Sequence, residues 1–157
     1  MKKVILAALM LVSGAALAVD VGVYGGTARG TNGKMENLVG LSVGDDLGKF
    51  GLKDFGVQAT ADRSTTNVTS VNRYIASGSY DVIKLGYIQT NVRIGIAYLD
   101  PQSTKTSNGG AGIIGFGASL PLSDNIKAVA DYAYQKGNNI TKNYNGNYIT
   151  AGVKYSF

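Results

Sequence analysis

The side chains able to do chemistry in this 157-residue chain are carboxylates and cations, for it contains no His and no Cys. Asp20, Asp62 and Asp131 are the residues that could divide acid and base roles, as two carboxylates in different surroundings can. Without His, the commonest general base and metal ligand are missing, along with every Ser-His arrangement. Without Cys, there are no disulfides, thiolate metal sites or thiol nucleophiles. Gly33-Lys34 suggests a phosphate loop, but that motif needs Gly at position 28 and Ser or Thr at position 35, where the chain has Ala28 and Met35. Asp45-Asp46 is a pair of carboxylates in a turn, short of the six or more oxygens that calcium takes. The acidic residues find a better use in pairing: Asp20, Asp62, Asp81 and Asp131 are matched in number by Arg73, Arg93, Lys127 and Lys154, a structural charge network. No catalytic, cofactor or metal site follows, and an enzyme is not expected.

The elements that must position these charges are strands. Met1–Ala18 opens with Lys2 and Lys3, runs through apolar Val4 to Val12 and closes on Ala16-Leu17-Ala18, the pattern of a cleavable secretory signal. From Val19 onward helical periodicity is nearly absent and alternation with period two recurs, giving one domain over residues 19–157. Ile149, Ala151, Val153, Tyr155 and Phe157 share one face, against Thr150, Gly152, Lys154 and Ser156. The same alternation marks Ile126–Gln135, Phe55–Asp62 and Val92–Tyr98, and in weaker form Val19–Ala28, Leu38–Asp45, Arg73–Ile83 and Ile113–Pro121. Eight strands result. Polar connectors over Arg29–Glu36, Arg63–Val71, Asp100–Gly112 and Lys136–Asn145 alternate with tighter ones near Leu47–Leu52, Lys84–Ile88 and Leu122–Asn125.

Long loops on one side and short turns on the other are the sidedness of a closed antiparallel eight-stranded up-and-down transmembrane β-barrel. The chemistry of the two faces agrees with this all-β class. The polar face carries Gly, Ser, Thr and isolated charges, small enough for the inside of a narrow closed tube. The other carries Val, Ile, Ala and aromatic residues, suited to lipid where every backbone group is paired within a closed sheet. Tyr74, Tyr98 and Tyr134 fall near its loop end, and Phe55, Tyr80, Tyr155 and Phe157 near its turn end, as two interfacial belts. The loop side is basic, with Arg29, Lys34, Arg63, Lys105, Lys136 and Lys142 against Glu36 and Asp100.

With its signal, its eight alternating strands and the final run Tyr148 to Phe157, the chain resembles the small outer-membrane barrels of Gram-negative bacteria. That group includes the membrane domain of outer membrane protein A, outer membrane protein X and the opacity-type proteins. The resemblance implies an integral outer-membrane location and insertion by the outer-membrane assembly machinery, with Val153, Tyr155 and Phe157 as its signal. Barrel enzymes of the outer membrane use His, which this chain lacks. The expected function is therefore a non-enzymatic structural or envelope role with a plugged polar interior, as a monomer, without cofactor or nucleic acid. Its partners are the bilayer and lipopolysaccharide, whose lipid A phosphates Arg63, Lys105, Lys136 and Lys142 could contact. The alternative is a narrow porin-like channel, if inward Gly22, Gly26, Gly95, Gly115, Gly117 and Gly152 leave water-filled space.

Overall fold

The computed structural model describes residues 19–30, 35–65, 70–102, 107–138, 141 and 144–157. The signal segment, Lys34, Lys105 and Lys142 lie outside them. Eight strands follow in order: β1 (Val19–Gly30), β2 (Met35–Asp46), β3 (Phe55–Thr65), β4 (Ser70–Leu85), β5 (Ile88–Pro101), β6 (Gly109–Pro121), β7 (Ile126–Gly137) and β8 (Gly146–Ser156). Each pairs antiparallel with the next, and β8 pairs with β1, with Val23 opposite Val153, to close the barrel. Strands of 11 to 16 residues meet or exceed the ~9–11 needed to cross a bilayer when tilted.

Alternation assigns the two surfaces as the sequence implies. Outside, Ile94 and Ile96 are 69% and 71% exposed, a condition suited to hydrocarbon and costly in water. The aromatic residues expected outside are there: Phe55 meets Tyr80 with ring centroids 4.9 Å apart, and Tyr155 meets Phe157 at 4.8 Å. Inside, the buried apolar cluster of Val71, Ala97, Leu99, Ala111, Ile113 and Ala133 lies toward the loop end.

The strands run further than the sequence pattern suggests. All four polar connectors lose residues to flanking strands, most clearly where β3 continues to Thr65 and β6 begins at Gly109. In a barrel with a polar interior, Ser and Thr are proper strand residues, so polarity does not mark a strand's end: Ser64 is buried inside. Arg29, Arg63 and Lys136 are accordingly strand residues, all exposed. The β4–β5 turn falls within the expected Lys84–Ile88, with Leu85 opposite Ile88 and Gly86 at a φ of 61°. The β2–β3 turn starts as one turn of 3-10 helix, Leu47–Phe50, capped by the Asp46 carboxylate, which accepts from the Gly48 N–H at 2.8 Å.

Several inward glycines sit where a neighbouring strand comes close. A Cβ on Gly26 would strike the Ile149 carbonyl, and one on Gly152 the carbonyl of Val23. At these two positions the backbone of the paired strand takes the room that a side chain would need.

Candidate functional site

Asp62 of β3 and Arg73 of β4 are register partners on the inner face. Arg73 Nε donates to Asp62 Oδ1 at 2.6 Å and an Nη donates to Oδ2 at 2.8 Å, a bidentate pair with side chains 5% and 1% exposed. The Tyr24 hydroxyl reaches across β2 from β1 and donates to the same carboxylate at 2.9 Å. Gly40 makes that reach possible, since a Cβ there would lie 2.5 Å from both the Tyr24 hydroxyl and the Asp62 Cβ. From the other wall, Gln135 of β7 accepts from Arg73 at 3.3 Å and donates to the Tyr144 carbonyl at 2.9 Å. The guanidinium carbon sits 3.8 Å from the centre of the Tyr148 ring, at cation–π distance. Strands on both sides of the lumen thus meet at Arg73.

Thr141 of the β7–β8 connection is the described loop residue that is buried. Its hydroxyl donates to the Gly110 carbonyl at 2.8 Å. The space left beside Arg73 toward the loops is about 10 Å³, and that around mid-lumen about 30 Å³. These volumes hold one or a few water molecules.

Toward the turns the interior loosens. Arg93 lies 3.7 Å from Asp131, and Lys127 lies 3.6 Å from Asp20. Lys154 donates to Gln58 at 2.8 Å, and Asp81 accepts from Gln89. A hollow of about 110 Å³ separates these groups, open at the turn end. The eight charges expected inside therefore all lie on the inner face, and six of them form carboxylate–cation pairs; Lys154 and Asp81 bond to neutral amides instead. Tyr24, Gln58, Gln135 and Tyr148 are members that a search for charge passes over. Their inward phase in the alternation was the available signal.

The remaining candidates fall on the outer wall. Arg63 on β3 and Lys136 on β7 stand four strands apart, in separate sectors. Val153 and Tyr155 point outward on β8, and Phe157, just past its end, is exposed against Tyr155. Of the three candidate acid–base carboxylates, Asp62 already accepts three hydrogen bonds. Both Asp45 oxygens are enclosed without a hydrogen-bond partner. Among the described residues, however, no group of three or more acidic side chains could hold a metal.

No protein-family description and no curated protein matches the chain. Solved structures do. Neisserial surface protein A is 17% identical over 91% of this chain and 98% of its own, with a TM-score of 0.65. The attachment invasion locus protein of Yersinia pestis is 13% identical over 89% and 97%, at 0.55. A de novo designed transmembrane barrel is 19% identical over 92% and 98%, at 0.52. The likeness is one of fold, that of the small closed transmembrane barrels.

Proposed function

We propose that this chain is a non-enzymatic, monomeric integral protein of the outer membrane, with an envelope role carried by its wall and loops. The observation that supports this most is the Asp62–Arg73 layer, which ties β1, β3, β4, β7 and β8 together across the lumen. Such a layer fits a pillar better than a pore. Outer-membrane location and export by a cleaved signal join this reading. So does insertion by the assembly machinery through Val153, Tyr155 and Phe157. At the loop end, Arg63, Lys105, Lys136 and Lys142 would meet the phosphates of lipid A.

A narrow channel is the second reading, favoured by one feature, the hollow that leads from the turn end to mid-lumen. Planar-bilayer recording of the refolded mature barrel in concentrated KCl separates the two. A flat baseline is expected; reproducible unitary steps, altered by Arg93→Ala or Lys127→Ala, would overturn the sealed reading in favour of transport.

A further inference from the structure

We propose that the turn-side hollow is a binding pocket for one small zwitterion, a solute with a carboxylate at one end and an ammonium at the other, held carboxylate inward. The hollow of about 110 Å³ opens at the turn end. Inward it narrows to the space of about 30 Å³ that the Asp62–Arg73 pair borders. A cavity of this size takes roughly half a dozen non-hydrogen atoms in place of several waters.

Its charges are arranged by depth. Lys154, Arg93 and Asp131 border both the hollow and the mid-lumen space, and so stand at the inner end. Asp20, Lys127 and Asp81 border the hollow alone. The Asp81 N–H donates to the Asp54 carbonyl of the β2–β3 turn at 2.7 Å, which puts this carboxylate at the mouth. Each level therefore holds one ion pair and one odd charge. Inside, Arg93 with Asp131 leaves Lys154 over; at the mouth, Lys127 with Asp20 leaves Asp81 over. Among the described residues, no carboxylate stands within 4 Å of the Lys154 ammonium and no cation within 4 Å of Asp81.

Both odd charges are held in place without being used up. Lys154 donates to the Gln58 side-chain oxygen at 2.8 Å, and Asp81 accepts from the Gln89 amide. An ammonium has three donors and a carboxylate about four acceptor sites, so each keeps capacity for a ligand. The two amides are neutral and orient these groups without cancelling their charge. An anion would answer Lys154 and leave Asp81 uncompensated, and a cation would do the reverse. A solute carrying both charges answers both, with its carboxylate inward to Lys154 and its ammonium outward to Asp81. Inside a narrow tube, where water screens less, that compensation counts for more than at an open surface.

The pocket needs only the closed barrel, so the sealed lumen and outer-membrane location proposed above can fail without it. The refolded, isotope-labelled mature barrel in micelles is titrated with β-alanine, propionate or ethylammonium, and backbone amide shifts report occupancy. β-Alanine should move the signals of Ser79 and Ser119, which border the hollow, and leave that of the buried Ser64 in place. It should bind about tenfold more tightly than either singly charged solute. Lys154→Gln should bring β-alanine down to the level of ethylammonium, and Asp81→Asn to that of propionate. Lys84→Gln, which removes an exposed cation next to the β4–β5 turn, should keep the preference. Equal affinity for the three solutes, or no shift with β-alanine, would overturn the pocket, and that comparison needs no variant to fold. A tenfold preference that survives in both Lys154→Gln and Asp81→Asn would overturn it as well. Unitary current steps in the bilayer recording would overturn the sealed reading and leave this order of affinities unchanged.

Discussion

The two halves of the lumen hold the same kinds of side chain and use them differently. Toward the loops, Arg73 and Asp62 are in direct bidentate contact, enclosed by Tyr24, Gln135 and Tyr148, with the buried Leu99 opposite Arg73 on β5. Toward the turns, Arg93 and Lys127 stand 3.7 and 3.6 Å from their carboxylates, beside a hollow of about 110 Å³. Hydration makes the difference. An ion pair out of water holds its partners by necessity, because losing one leaves the other charged and unsolvated. A pair beside water is screened, and either member can be solvated alone.

The largest effect expected from this contrast is on stability at Arg73. Arg73→Ala should strand the Asp62 carboxylate and cost about 3–5 kcal/mol, read by urea unfolding in detergent micelles. Circular dichroism is the suitable probe, as the chain has 10 Tyr but no Trp. Replacing both partners together, Asp62→Leu with Arg73→Leu, should recover much of the loss. A double variant as unstable as Arg73→Ala would mean that the layer matters for packing and not for charge.

Gln135→Ala comes next. It removes one acceptor from Arg73 and one donor from the Tyr144 carbonyl, and should cost about 1–3 kcal/mol by leaving those buried groups unmet. No change would show that water enters the loop half readily, which erases the contrast.

Access offers a third test, helped by a background without cysteine. Ser79→Cys borders the turn-side hollow, whereas Ser64→Cys replaces a buried side chain toward the loop end of β3. A small charged thiol reagent should modify position 79 about tenfold faster or more than position 64. Equal rates would place water along the full lumen and favour a channel.

How much of this was legible in the sequence depended on periodicity. Alternation put Asp62, Arg73, Arg93, Lys127 and Lys154 on the inner face, because a one-residue error would send every charge into lipid. What periodicity does not carry is distance around the barrel. That Arg73 pairs with Asp62 follows from strand register, but that it meets Gln135 follows from how the closed sheet folds across its own interior. The inward glycines show the same limit. Gly152 looked like empty space in the strand pattern, and its room is taken by the neighbouring strand's Val23 and Tyr24. Strand ends were blurred because Ser and Thr belong both in loops and on an inner polar wall.

The smallest expected effect is also the one that fixes the other end of the comparison. Lys127 has a side chain 40% exposed and lies 3.6 Å from Asp20, so Lys127→Ala should change stability by no more than about 1 kcal/mol. Asp20 has a second partner, for the Ser156 hydroxyl donates to it across the β1–β8 seam. The carboxylate is therefore not stranded when the lysine goes. Raising the salt concentration should shrink even this small difference, since screening acts on hydrated pairs, whereas the cost of Arg73→Ala should be nearly independent of salt. A Lys127→Ala loss approaching that of Arg73→Ala, and equally indifferent to salt, would mean that the turn half is as dry as the loop half.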